Sequence, residues 1–173
     1  AVTVLCGATD IGQGSDSILA YLPAEVLGID PKDVHVHPAD TALTPVDLGS
    51  YSSRVTLMYS ITAIQTARRL RAAIATAVAA KLGCSPDELV FRDGMVGRPG
   101  DREPALTFAQ AVELGEAMHG VLAFPGSYAP PRRAGKYKGG GVGPSPCYSY
   151  SACVVELSVD EETGEVTIHD VWL

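Results

Sequence analysis

The chain contains 173 residues, of which 46% are apolar and 19% are charged, and this composition suffices for one globular domain with a buried core. Its formal net charge of −7 argues against a general nucleic-acid-binding surface, because such surfaces are basic. The sequence contains neither a run of about eighteen apolar residues nor a basic segment leading into a short apolar one, and so shows no membrane span and no signal peptide. We therefore expect a cytoplasmic protein.

Both ends of the chain fall in strand-like sequence. The chain opens without an initiator methionine in an apolar run at residues 1–6, and it stops at Leu173 within a second such pattern. We therefore expect residues 1–173 to be one fragment of a domain that belongs to a longer subunit.

A turn with three glycines, residues 7–14, follows the first predicted strand and is called the glycine-rich turn below. The next segment predicts a helix, because Ser15 or Asp16 can cap its start and Gly28 can end it. Residues 34–37 alternate apolar and polar side chains, which is typical of a half-buried strand.

The strongest helical pattern covers residues 53–82 and ends before Gly83. Residues 89–92 then predict a short strand with an Asp-Gly turn behind it. Residues 107–118 predict a helix capped at its first residue, and residues 120–124 predict a further strand.

The last third of the chain combines an irregular segment with a hairpin. Residues 125–146 are rich in Gly, Pro, Ser and Tyr, and residues 148–173 predict two strands joined by an acidic turn. Because strands and helices are mixed without a regular βαβ repeat, we expect an α+β fold with a mixed sheet and packed helices.

The irregular segment is basic in an otherwise acidic chain. Arg132 and Arg133 lie in a stretch, residues 117–155, that contains no Asp or Glu. These arginines are candidates for attracting an anionic substrate, such as the phosphates of coenzyme A, or for docking an acidic face of another subunit. A flexible linker is the alternative interpretation.

Other groups offer little chemistry. The four cysteines are scattered without a Cys-x-x-Cys pair, which argues against a zinc or iron–sulfur site held by this chain. His35 and His37 share one strand face, but the sequence shows no third ligand for them. We therefore predict no metal ligand among the side chains.

The sequence of the glycine-rich turn nearly matches the phosphate-binding P-loop motif. Gly7 and Gly12 have the spacing of the first two fixed glycines, but Gln13 stands where that motif requires lysine. A glutamine amide both donates and accepts hydrogen bonds, which suits a polar cofactor with several edges better than a nucleoside triphosphate. A nucleotide-binding phosphotransferase is therefore disfavoured, while a turn with glycines needed only for bending stays open.

A second segment offers a similar arrangement. Ser50, Ser52 and Ser53 stand beside Gly49 and Arg54 where the long helix is expected to begin. One serine is enough to cap a helix, whereas three hydroxyls near free backbone N–H groups suit a phosphate or a pterin ring.

These segments together resemble the molybdenum hydroxylases, the family of xanthine dehydrogenase and aldehyde oxidase. The resemblance includes the glycine-rich turn, the Leu-Gly-Ile step at residues 27–29, Asp40-Thr41 and the serine-bearing helix start, and it extends through the hairpin. It implies the α+β fold of a molybdenum-cofactor-binding domain. It also implies a set of residues around molybdenum-molybdopterin in its cytosine dinucleotide form: Ile11, Gly12, Gln13, Gly14, Ser52 and Ser53.

The same resemblance places the catalytic glutamate of the family in a Gly-Val-Gly-Glu segment. That segment lies near the C-terminus of the complete subunit, so we predict no catalytic residue in this chain and no turnover by the chain alone. We interpret Gly141-Val142-Gly143-Pro144 as a coincidental likeness, because proline replaces the glutamate and the segment precedes the hairpin. The implied partners are the remainder of the molybdenum subunit and the subunits or domains that hold iron–sulfur clusters and FAD. No nucleic acid and no membrane is expected as a partner.

The amino-acid sequences of residues 47–56 and 130–135 are most similar to those of the large subunits of 4-hydroxybenzoyl-CoA reductases. This narrower resemblance implies an oxidoreductase that removes a ring hydroxyl from an aromatic acyl-CoA, as in aromatic degradation. Two alternatives stay open: a hydroxylase of aldehydes or N-heterocycles, and a non-catalytic binding domain of the same fold.

Overall fold

A computed structural model describes residues 1–47, 49–51, 54–100, 106–129 and 151–173. The chain divides into two compact units, Ala1–Tyr128 and Ala129–Leu173. The described strands of the first unit are β1 (Val2–Cys6), β2 (Val34–Pro38), β3 (Val90–Arg92), β4 (Met95–Gly97) and β5 (Leu106–Thr107). Its described α-helices are α1 (Ser15–Leu27), α2 (Ser60–Leu82) and α3 (Phe108–His119), and the second unit contains β6 (Val154–Val159) and β7 (Val166–Trp172).

The first unit begins with a βαβ arrangement. Strands β1 and β2 pair in parallel, from Val2 opposite Val34 to Cys6 opposite Pro38, and α1 forms the crossover between them. Gly28 ends α1 in the left-handed conformation, as predicted. The predicted side-chain cap at Ser15 or Asp16 is wrong, because Gly14 occupies the cap position and neither side chain caps the helix.

The predicted long helix is confirmed from residue 54 onward. It starts with a π-helical turn, Val55–Tyr59, and continues as α2 to the left-handed Gly83. Its apolar face is buried against neighbouring elements, with Ile74 and Val78 fully buried. These two side chains belong to the largest described core cluster, which also includes Phe91, Val96 and Ala111.

A small antiparallel sheet and a helix complete this core. Strands β3, β4 and β5 are neighbours in that order, and the predicted Asp-Gly turn connects the first two. Helix α3 is capped as predicted, since the Thr107 hydroxyl accepts from the Gln110 amide and the Gln110 side chain accepts from the Thr107 amide.

The strand predicted at residues 120–124 is wrong, because these residues form no strand ladder. Val121 is 88% exposed, whereas Leu122 packs on the core cluster. Leu122 thus anchors an irregular segment, and none of the described strands pairs with the apolar run that suggested a strand.

The second unit contains the predicted hairpin. Strands β6 and β7 pair antiparallel, from Val154 opposite Trp172 to Val159 opposite Val166, with a register shift after Glu156. The connecting turn closes through Asp160, which accepts hydrogen bonds from the amides of Glu162 and Thr163. The mixture of helices and small sheets confirms the α+β prediction. Within the described residues, no helix is both long and apolar enough to cross a membrane.

Candidate functional site

The glycine-rich turn lies at the carboxyl end of β1 and leads directly into α1. Asp10 closes this turn, because its carboxylate accepts a hydrogen bond from the Gly12 amide at 2.7 Å and from the Asp16 amide at 3.3 Å. Hydrogen bonds from the backbone, first of all from Gly12 and Asp16, hold the pKa of Asp10 below its usual value. The turn therefore already binds one anion at the start of α1, and that anion is its own side chain.

Gln13 uses both ends of its amide inside the same turn. Its Oε1 accepts from the Ile11 amide at 2.6 Å, and its Nε2 donates to the Thr9 carbonyl at 3.3 Å and to the Ser15 hydroxyl at 3.1 Å. A lysine could not make this set of bonds, because its ammonium group has no acceptor. The glutamine that distinguishes the turn from a P-loop thus fixes the shape of the turn.

The outer surface of the turn is open. Ile11 is 69% exposed, and Gly12 and Gly14 have positive φ angles of 96° and 78°. A Cβ atom built on either glycine meets nothing within 4 Å. The turn therefore leaves its backbone accessible at Gly12 and Gly14, beside the exposed side chain of Ile11.

A second segment contacts the turn. We call residues 45–47 and 49–51 the Asp47 loop. The Ser50 hydroxyl donates to the Thr9 carbonyl at 2.6 Å and accepts from the Thr9 amide at 3.2 Å. A Cβ atom on Gly7 would lie 2.3 Å from the Pro45 carbonyl oxygen, so only glycine permits this approach. The two segments that sequence reasoning singled out separately are therefore in contact.

A cluster of polar side chains connects the Asp47 loop to the start of the long helix. The Asp47 carboxylate accepts from the Gly49 amide at 2.7 Å, from Arg54 Nη1 at 3.1 Å to each oxygen, and from the Tyr59 hydroxyl. Arg54 also donates to the Gly49 carbonyl at 2.7 Å and lies over the Tyr51 ring, 5.5 Å from its centroid. Asp47, Arg54 and Tyr59 are called the Asp47 cluster below.

Sequence reasoning missed Asp10 and the Asp47 cluster as organisers of the site. A signal was present, because each aspartate starts an Asp-x-Gly pattern whose carboxylate accepts the amide of the glycine two residues on. The partners Arg54 and Tyr59 come from the next helix, and only the tertiary structure shows that they converge on Asp47.

The structure places the predicted residues unequally. Ile11, Gly12 and Gln13 are exposed and Gly14 is half-buried in the same turn, whereas Ser52 and Ser53 lie outside the described residues, as do Arg132 and Arg133. His37 Nε2 lies 3.2 Å from Asp40 Oδ2. Where the structure describes the chain, no three His, Cys, Asp or Glu side chains gather in a way that could hold a metal ion.

Comparison with known proteins identifies the family. The family model described as "Molybdopterin cofactor-binding domain" matches residues 1–173. The chain belongs to this family. The resemblance to the molybdenum hydroxylases is thereby confirmed, whereas membership in the 4-hydroxybenzoyl-CoA reductase branch is not established.

The relatives that match this chain are much longer proteins, and each matches it over only a part of its length. A probable hypoxanthine oxidase of Escherichia coli strain K12 is 32% identical over 94% of this chain and 16% of its own length. The gamma subunit of the 6-hydroxypseudooxynicotine dehydrogenase complex of Paenarthrobacter nicotinovorans is 27% identical over 94% of this chain and 20% of its own length. The crystal structure of quinoline 2-oxidoreductase from Pseudomonas putida 86 shares the fold, with a TM-score of 0.59 at 19% identity over 98% of this chain and 21% of that chain.

The chain spans about a fifth or less of the length of these relatives. The described residues of the glycine-rich turn favour a neutral polar group over a second anion. The amides at the start of α1 already face Asp10, so a second anion there would have to displace it. The open backbone above Gly12 and Gly14 instead suits a ring edge with donors and acceptors, such as a pterin.

Proposed function

We propose that this chain forms part of the cofactor-binding wall in the molybdenum subunit of a molybdenum-hydroxylase-family oxidoreductase. The observation that carries the proposal is the exposed glycine-rich turn, whose backbone is fixed by Gln13 and Asp10 and which leaves open space at Gly12 and Gly14. Rigid, open backbone of this kind loses little conformational entropy when a ligand binds.

In this proposal the turn residues Ile11, Gly12, Gln13 and Gly14 lie against the pterin. Ser52 and Ser53 hold the pterin or a phosphate, and the molybdenum ion is held by the pterin rather than by this chain. The bound group would supply two-electron redox chemistry at its metal. The described residues contribute binding and orientation: Gly12 and Gly14 allow close approach, and Gln13 keeps the turn from collapsing.

We further propose that the complete protein hydroxylates an aldehyde or an N-heterocycle with oxygen from water, releases two protons and passes two electrons to an acceptor. Support comes from the relatives, which include a probable hypoxanthine oxidase and a dehydrogenase subunit. In this proposal the pterin carries a cytosine dinucleotide. The iron–sulfur clusters and FAD belong to other domains or subunits, and the complex is cytoplasmic. The chain alone is inactive and retains little cofactor.

Reductive dehydroxylation of 4-hydroxybenzoyl-CoA is the second candidate reaction. The amino-acid sequence of residues 47–56 favours this reaction, as does the basic pair Arg132 and Arg133. Two arginines suit the phosphates of coenzyme A. In this reaction the substrate takes up two electrons and two protons and releases water, so it needs a reductant where the hydroxylases need an oxidant.

The cofactor proposal is tested in the complete protein by measuring molybdenum and pterin content after Gln13→Ala. Loss of three hydrogen bonds should loosen the turn and lower the cofactor content at least several-fold. Gln65→Ala is the matched control, because Gln65 is an exposed glutamine on α2 outside the turn. Equal loading of both variants, at the level of the unsubstituted protein, would contradict the assigned site.

The two reactions separate in one pair of assays. The purified complex is supplied either with hypoxanthine or an aromatic aldehyde and an electron acceptor, or with 4-hydroxybenzoyl-CoA and a strong reductant. We expect turnover in the first assay. Turnover only in the second, with Arg132→Glu and Arg133→Glu raising KM for the acyl-CoA, would assign the reductase reaction instead.

A further inference from the structure

Asp47 receives more hydrogen bonds than a turn needs. The Gly49 amide alone would close the Asp-x-Gly turn, yet Arg54 and the Tyr59 hydroxyl also bind the same carboxylate. Both additional donors come from the start of the long helix rather than from the loop. Asp47 therefore connects the loop to that helix.

Burial makes these contacts strong. The side chain of Asp47 is 5% exposed and that of Arg54 is 16% exposed, so water screens their attraction little. Burial opposes the charged form of Asp47, but the bonds from Tyr59, Gly49 and Arg54 outweigh it and hold its pKa below the usual value. Burial, followed by the bond to Asp47, raises the pKa of Tyr59, as expected for a hydroxyl that donates to a carboxylate.

The Asp47 loop in turn contacts the glycine-rich turn at two points. At one point, Ser50 bonds both backbone groups of Thr9. At the other, the loop passes so close to Gly7 that a Cβ there would lie 2.8 Å from the Cβ of Asp47. A displacement of Asp47 would therefore reach the turn through direct contacts.

We propose that Asp47, Arg54 and Tyr59 are positioning residues that hold the glycine-rich turn in the shape that receives the cofactor. The proposal rests on the proposed function, because it presumes that the turn binds the pterin. None of the three needs to touch the ligand. They act through Ser50 and Gly7, and so couple the start of the long helix to the end of β1.

The competing view is that the Asp47 cluster stabilises only its own loop. The two views differ in what happens at residues 7–14 when the cluster is weakened. A local role leaves the amides of the glycine-rich turn unchanged, whereas a positioning role loosens them even though Asp47 is distant in sequence.

Hydrogen–deuterium exchange of the complete, cofactor-free protein tests this difference. Asp47→Asn removes the charge, and Tyr59→Phe removes one hydroxyl while it keeps the ring. We expect exchange within residues 7–14 to accelerate about tenfold in Asp47→Asn, as loss of charged hydrogen bonds implies, and by a smaller factor in Tyr59→Phe. Asp33→Asn, at an exposed aspartate of the same unit, should leave these residues unchanged.

The second measurement is the release rate of the bound cofactor, which should rise in the same order as the exchange rate. Exchange that accelerates only around residues 47–51, with residues 7–14 unchanged in both variants, would overturn the proposal. If Asp47→Asn fails to fold, Tyr59→Phe decides. If the unsubstituted protein contains no molybdopterin, the proposed function fails, while the exchange experiment still decides whether the cluster positions the turn.

Discussion

Two aspartates shape the candidate site at the scale of single residues. Asp10 and Asp47 each accept the amide of a glycine two residues on, at 2.7 Å, and each then binds further donors. The amides of Gly12, Asp16 and Gly49 are therefore already engaged by carboxylates of the chain itself. At the glycine-rich turn, a ligand would therefore contact the open backbone at Gly12 and Gly14 rather than the amides that Asp10 binds.

Replacement of Asp10 should loosen the start of α1. In Asp10→Ala the amides of Gly12 and Asp16 lose their acceptor, so we expect faster amide exchange there and a lower Tm. Asp30→Ala is a matched control, because Asp30 accepts the Lys32 amide in a separate turn. Unchanged exchange at residue 12 in Asp10→Ala would contradict the assigned hydrogen bond from the Gly12 amide to Asp10.

Stability conferred by Asp47 should depend on pH. Because its pKa is lowered in the folded protein, its contribution is fully present above the unfolded value of about 3.9 and is lost as the pH falls through the folded value. We expect Asp47→Asn to cost roughly 2–3 kcal/mol at pH 7, with the difference shrinking below about pH 4. Denaturant titrations at pH 7 and pH 3 measure this, and an equal difference at both would refute it.

At the scale of elements, two helices end alike but in different surroundings. Gly28 and Gly83 both end helices in the left-handed conformation, with φ of 67° and 64°. A Cβ on Gly28 would lie 2.4 Å from the Phe91 backbone, whereas one on Gly83 meets nothing within 4 Å. Gly28 in the Leu-Gly-Ile step therefore allows the end of α1 to pack closely against β3. Gly83 serves only to end its helix.

This pair allows backbone strain to be separated from close packing. Gly83→Ala should cost about 1 kcal/mol, the usual penalty for a left-handed alanine. Gly28→Ala should cost about 1–3 kcal/mol more, because backbone atoms of β3 must move. Equal free energies of unfolding for the two variants would show that the contact with β3 is dispensable.

At the scale of the whole molecule, the core of the first unit forms around α2. Ile74 is fully buried in the cluster shared by α2, α3 and the small sheet, and this packing fixes the helix whose first turns carry Arg54 and Tyr59. The second unit contributes the β6–β7 hairpin, and the family match includes both units.

Truncation of a core residue should therefore destabilise the fold far more than truncation at the site. Ile74→Ala should cost about 2–5 kcal/mol, whereas Ile11→Ala, at a side chain that is 69% exposed, should cost less than about 0.5 kcal/mol. Thermal and denaturant unfolding measure both. A large loss for Ile11→Ala would show that Ile11 packs inside the protein rather than facing a ligand.

The sequence by itself determined the elements whose signals are local: the end of α2 at Gly83, the cap of α3 at Thr107 and the hairpin around the acidic turn. It also identified the glycine-rich turn and the family. Local signals failed where a partner decides the outcome, as at residues 120–124, where no strand in the described part of the chain pairs with the apolar run. Only the tertiary structure showed that Ser50 bonds Thr9 and that Arg54 and Tyr59 meet on Asp47, because those contacts join segments whose distance in space no sequence pattern encodes.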